Sequence, residues 1–201
     1  TLTDAQGRIP DRTVSVLEYM AKRLPLYLST ALPVSHAKKR LGNVFGLFSG
    51  GVFADGGLLC YGETIECVPI AKPVTAGFPG CRVTRYTREG KVFKYAVLAP
   101  NTREAVRWLT ELDEEAYQLY QEGRLLTVVD SKAGKKNGLI TLCARLGISL
   151  REVLVVGNTM HDWPMMSVAG YSCAVMDAEE KLRKLSGYVL NPDSIPVFFD
   201  I

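Results

Sequence analysis

The chain has 201 residues, 47% hydrophobic and 22% charged, with 24 Lys and Arg against 21 Asp and Glu for a net charge of +3. That length suits one large domain, or one domain carrying a smaller insert, and the composition excludes disorder, collagen and coiled coil as dominant states. No apolar run reaches the roughly 18 residues of a membrane span, and the dispersed basic residues form no dense stripe, so neither a membrane nor a nucleic acid is expected as a partner.

The opening segment TLTDAQGRIPDR lacks the apolar stretch of a signal peptide. The five cysteines, Cys60, Cys67, Cys81, Cys143 and Cys173, form no CxxC and no Cys/His metal pattern. They read as small, mostly buried hydrophobes in a reducing cytoplasm.

In chain order, the spacing of Val14, Leu17, Met20, Ala21 and Leu24 predicts a helix over 11–24, stopped by Pro25. A short strand over 26–30 follows, then a helix over 34–41 and a buried strand over 44–48. Residues 52–61 read as a hairpin turning at Asp55-Gly56-Gly57. Residues 66–80, with three prolines and two glycines, read as a linker. Strands over 82–87 and 92–98, a helix over 102–121 and a strand over 125–129 make a self-contained ββαβ block. Helices over 136–146, 162–168 and 178–185 then alternate with strands over 153–156, 172–175 and 187–190. The apolar end 195–201 is one more β-prone run. Alternating strands and helices predict a doubly wound, mostly parallel, Rossmann-like α/β sheet. The core is expected over 1–65 and 129–201, with 66–128 as a small inserted α+β domain.

In such sheets ligands bind at the carboxyl ends of strands, near a topological switch point. Strand 26–30 delivers Ser29 and Thr30 there. Strand 153–156 leads into Gly157-Asn158 and on to His161 and Asp162. The segment before helix 136–146 brings Lys135, and the last run brings Asp200. A hydroxyl, a lysine, an amide and two carboxylates suit a phosphate beside a hard cation, because oxygen ligands hold magnesium while lysine and hydroxyl hold phosphate oxygens.

The run Gly157-Asn-Thr-Met-His-Asp-Trp-Pro-Met-Met166 resembles the fourth motif of haloacid dehalogenase (HAD) superfamily phosphatases. More narrowly it resembles the Cof-like branch of sugar-phosphate and phosphoglycolate phosphatases, with its G-D-x-x-N-D and P-M-L-like turn. Leu28-Ser-Thr-Ala-Leu-Pro33 resembles the second motif, A-T-G-R-P, and Gly134-Lys-Lys-Asn-Gly-Leu139 the third, with Lys135 favoured over Lys136 by its spacing to Leu146-Gly147-Ile148. Thr1-Leu-Thr-Asp4 resembles the segment just after the nucleophile in D-x-D-G-T-L-T-D, and Val197-Phe-Phe-Asp-Ile201 resembles the strand that opens that motif. The ends therefore look circularly permuted, or truncated at the nucleophile motif, with Asp200 as nucleophile and the family's general acid absent. The stretch 191–196 spans at most ~20 Å. A crossing to a central strand would then be taut, or residues are missing, or the strand comes from a second copy, which leaves a homodimer open.

The resemblance implies an aspartyl-phosphate mechanism on a small phosphate monoester, a sugar phosphate or a phosphoglycolate-like acid. It assigns catalysis to Asp200, Thr30 and Lys135, substrate binding to Thr30, Ala31 and Lys135, and Mg²⁺ to Asp200, Asn158 and Asp162, with 66–128 as the cap. Several positions depart from the pattern: Asn158 stands for the motif Asp, His161 for the motif Asn, and Ala31-Leu32 for Gly-Arg. On these departures the alternative is a weakened HAD-fold protein that binds a phosphometabolite or a protein partner without turnover. Plainer roles also stand: Asn158 as a helix cap, Lys135 on a solvated face, Thr30 as a strand end and Asp200 as a surface residue.

Overall fold

Residue 2 and residues 8–191 are described by the computed structural model. The expected strand at 195–201, with Asp200, lies outside them. Helix α1 (Asp11–Ala21) leads into β1 (Tyr27–Ser29), and α2 (Val34–Leu41) follows. Strands β2 (Gly50–Phe53), β3 (Leu58–Tyr61) and β4 (Thr64–Cys67) complete a sheet of order β1-β2-β3-β4, parallel between β1 and β2 and antiparallel beyond. Strands β5 (Arg82–Arg88) and β6 (Lys91–Leu98), helix α3 (Thr102–Glu111), and strands β7 (Tyr117–Glu122) and β8 (Leu125–Asp130) come next. Their strands form a separate antiparallel sheet of order β5-β6-β8-β7. Helix α4 (Lys135–Leu146), β9 (Leu154–Gly157), α5 (Trp163–Met166), β10 (Tyr171–Val175), α6 (Glu180–Leu185) and β11 (Tyr188–Leu190) follow, with β11-β10-β9 all parallel. This α/β architecture is the one expected from the alternation of elements. Among the described residues no helix is long and apolar enough to cross a membrane.

Three local expectations are corrected. The apolar run 44–48 is not a strand: residues Gly42–Leu47 form a 3₁₀ helix. A strand running parallel to β1 needs a crossover, and α2 with this turn supplies it, leaving β2 as the neighbour. The helix expected over 102–121 stops at Glu111, and 117–122 is a strand. Leu112, Ala116 and Leu119 satisfy a helical period, but Tyr117 and Leu119 also alternate with Gln118 and Tyr120 at period two. Pairing with β8 across the tight turn at Gly123 decides between them. The helix expected over 162–168 is only Trp163–Met166, preceded by a 3₁₀ turn at Met160–Asp162. The hairpin at Asp55 is present between β2 and β3, and all five cysteines are free thiols.

Each layer has its own core. Leu139, Cys143, Val155, Met165, Met166, Val175 and Leu182 pack between the parallel strands and helices α4 to α6. Phe78, Tyr95, Val97, Trp108, Leu126 and Val128 form the core of the β5–β8 layer under α3. A third cluster joins the layers, because Phe93 of β6 packs with Phe53, Ala54 and Leu58 below the hairpin turn. Leu126 is fully buried. Leu126→Ala is expected to lower the unfolding free energy by about 2–5 kcal/mol, since the transfer loss and the cavity add. Chemical denaturation checks it.

Candidate active site

The sheet edges not used in pairing define where a ligand can sit. Among the described residues, β1 pairs only with β2 and β9 only with β10. A cleft of ≈ 240 Å³ is lined from both sides, by Leu28 to Leu32 at and beyond the end of β1 and by Asn158, Thr159 and Asp162 following β9, with Lys135 between. Thr30, Ala31, Lys135, Asn158 and Asp162 are therefore brought together at the carboxyl ends of two strands. Asp200 lies outside the described residues.

The cleft is built by backbone as much as by side chains. Thr30 N–H donates to the Val52 carbonyl at 2.9 Å, continuing the β1–β2 pairing past the last strand residue. The chain then turns, and Leu32 N–H donates to Thr30 Oγ1 at 3.2 Å. At the end of β9, Gly157 lets the chain pass close to Asp162: a Cβ there would lie 2.7 Å from the Asp162 Cβ. Thr159 and Asp162 then form a reciprocal capping box.

Lys135 opens α4, and its Nζ donates to Asp162 Oδ1 at 2.8 Å, with side chains only 12% and 9% exposed. Asp162 Oδ2 accepts from the N–H groups of Asn158 at 3.0 Å and Thr159 at 3.3 Å. Burial alone would push this carboxyl up, but the Lys135 ammonium and the two N–H groups outweigh it and hold Asp162 below the usual carboxylate range. The stability this arrangement confers is complete above the unfolded carboxyl's pKa, about 3.9. It is lost as pH falls through the lower folded value. Asp162→Asn is therefore expected to flatten the acid limb of stability below pH about 4, as followed by denaturation at stepped pH.

Lys136, the neighbour not favoured by spacing, is exposed. Lys38, Lys39 and Arg40 are also exposed, as a solvated helix face requires, and Arg40 additionally reaches the cleft wall. Trp163 is partly buried and Met165 and Met166 fully so, all in the core. His161 is exposed and faces Tyr120 of β7 across the layers, ring centroids 5.9 Å apart. Burial, with a smaller contribution from the Asp55 carboxylate, pushes the Tyr120 phenol up to about 12, so it stays a neutral hydrogen-bonding group. Its hydroxyl donates to Gln118 Oε1 at 3.0 Å.

Sequence reading missed Asp55, Lys94 and Tyr120. Asp55 read only as a turn residue. Lys94 stands between Phe93 and Tyr95 in an otherwise apolar strand, and that interruption was the available signal for a buried cation.

No group of three or more His, Cys, Asp or Glu that could hold a metal ion occurs among the described residues. Both Asp162 oxygens already accept hydrogen bonds, so Asp162 is placed to orient the Asn158–Thr159 backbone. Asn158 offers an amide oxygen type beside the cleft. Magnesium sites take one or two carboxylates together with phosphate oxygens and several waters; among the described residues lining the cleft, the only carboxylate is Asp162, whose oxygens are already engaged.

The model of the haloacid dehalogenase-like hydrolases matches residues 89–194, more than half of the chain. The chain belongs to this family. It is 31% identical over 104 residues to a phosphoglycolate phosphatase of Methanobrevibacter smithii, covering 52% of this chain and 44% of that protein. It is 34% identical over 77 residues to that of Archaeoglobus fulgidus, covering 38% and 34%. These matches span less than half of either relative's length. Among solved structures, a haloacid dehalogenase-like hydrolase from Bacteroides thetaiotaomicron superposes with a TM-score of 0.82 at 17% identity, covering 100% of this chain and 94% of that one. A HAD subclass IIB sugar phosphatase gives a TM-score of 0.77 at 18% identity, covering 98% and 92%. The family match makes the chain a haloacid dehalogenase-like hydrolase, and the structural likenesses give it the HAD fold.

Proposed function

We propose that this phosphatase-family chain hydrolyses a small phosphate monoester by in-line attack of Asp200 on phosphorus, with loss of the alcohol and hydrolysis of the resulting aspartyl-phosphate by water. The observation that carries the reading is the convergence of Thr30, Lys135 and the Lys135–Asp162 pair on one cleft at the carboxyl ends of β1 and β9. Lys135 and the Thr30 hydroxyl hold the equatorial phosphate oxygens, Ala31 contributes backbone beside them, and Asp162 holds Lys135 and the 158–159 backbone in place. Asp200 and Asn158 would hold Mg²⁺, with Asp162 supporting them from behind, and the ion would supply charge neutralisation at the phosphate. The β5–β8 layer acts as the cap that shields the site and selects the leaving group. The names of the curated relatives favour phosphoglycolate as substrate, and the subclass of the structural neighbour favours a sugar phosphate.

The test is release of inorganic phosphate from an aryl phosphate, 2-phosphoglycolate and a hexose phosphate, with and without magnesium. Magnesium-dependent release from at least one supports the reading. No release, together with saturable binding of the same esters, favours the weakened, non-turning-over protein, a reading that Asn158 and Ala31-Leu32 support. In the active case Asn158→Asp is expected to raise turnover by tightening the ion.

A further inference from the structure

The turn Ala54-Asp55-Gly56 meets three parts of the molecule at once. Ala54 N–H donates to the Leu32 carbonyl at 3.0 Å and Asp55 N–H to the Thr30 carbonyl at 3.2 Å, so it grips the turn that follows β1. Gly134 N–H donates to the Asp55 carbonyl at 2.8 Å, one residue before Lys135. The approach is so close that a Cβ on Gly56 would lie 2.4 Å from the Gly134 carbonyl oxygen. The third part is the β5–β8 layer. Lys94 of β6 donates from Nζ to Asp55 Oδ2 at 3.0 Å and to the Ala31 carbonyl at 2.7 Å. The two side chains are 6% and 5% exposed.

We propose that Asp55 and Lys94 are a positioning pair that couples docking of the β5–β8 layer to the shape of the Thr30–Leu32 turn. From that layer Lys94 reaches the Ala31 carbonyl in the cleft wall, with Asp55 neutralising its ammonium there. Phe93 beside it packs on Phe53, Ala54 and Leu58, so the strand seats on the turn through an apolar and an ionic contact together. A buried ion pair confers little stability over apolar residues of the same volume, so its contribution is orientation. The turn also holds two non-glycine residues, Ala54 and Asp55, at φ +53° and +54°. Such conformations persist only where surrounding contacts over-determine them, and here those contacts run to the cleft. When the layer lifts, Lys94 leaves the Ala31 carbonyl, and the turn that presents Thr30 loses one of its constraints. The inference deepens the proposed phosphatase reading and rests on it for its catalytic consequence.

The experiment compares the full chain with Lys94→Met, Asp55→Asn, the double variant and Lys94→Arg. Three quantities are read: the thermal midpoint, hydrogen exchange at the amides of Leu32 and Asp55, and kcat/KM on the ester that the wild type cleaves best. Each single neutral variant strands one buried charge and lowers the midpoint. The double variant removes both charges and is expected to regain most of the midpoint, while its two amides exchange about tenfold faster and kcat/KM falls about tenfold. Lys94→Arg keeps the charge and the fold, and is expected to restore much of the exchange protection and of kcat/KM. A double variant, or in its place a folded single variant, with wild-type exchange at both amides would overturn the proposal. A wild type that cleaves no ester counts against the phosphatase reading instead, and the exchange measurement then still decides this one.

Discussion

Lys135→Met is expected to lower kcat/KM on a phosphate monoester by about 10²–10³-fold, the usual loss when one donor to a developing oxyanion is removed. The same change should cost about 3 kcal/mol of stability, because it strands a buried carboxylate. The stability effect comes from the contact of Lys135 Nζ with Asp162 Oδ1 at 2.8 Å, and the kinetic effect from the loss of the ammonium at the cleft. They can be separated by Lys135→Arg, which keeps the charge beside Asp162. That variant should recover most of the stability, while the guanidinium's different shape keeps phosphate positioning impaired. Steady-state kinetics and denaturation on the same samples check both. A Lys135→Met variant with full activity would remove the lysine from the mechanism.

Asp200→Asn is expected to lower kcat by about 10⁴–10⁶-fold, the range seen when a nucleophile is removed from a working site. An amide is uncharged and a poor nucleophile, so the covalent step fails. Acid quench of the wild type during turnover of a ³²P-labelled ester should trap label on protein, and the Asn variant should trap none. Label retained by Asp200→Asn would place the nucleophile on another residue. Binding of the ester need not fall, because Thr30, Lys135 and Asn158 are untouched.

The motif positions were legible because each lies where an element ends, and ends carry local signals. Pro33 after Thr30, Gly134 before Lys135, and Gly157 after the Val-rich strand each mark such a boundary. The α/β alternation followed from the successive apolar runs, and the choice of Lys135 over Lys136 from the family resemblance and the spacing to Leu146-Gly147-Ile148. The second half of the expected 102–121 helix was not legible, because Leu112, Ala116 and Leu119 obey the helical period while Tyr117 to Tyr120 obey the strand period. The choice was made by β8, a partner brought back by the chain only after Gly123.

Asp55 shows the same limit at the site. Its neighbours in sequence define a hairpin turn and nothing more. Its partner Lys94 lies 39 residues away in another sheet. Local sequence thus determined the order and type of most elements, and which residues end the strands that flank the cleft, because capping, turn formation and hydrophobic period act over a few residues. The tertiary structure alone decided that Asp162 is held by Lys135, that the turn after β1 is held by Asp55, and that Lys94 reaches it from the second layer. Those are long-range contacts, two of them between buried charges and the others to backbone carbonyls, and no local preference encodes which distant partner will meet these groups.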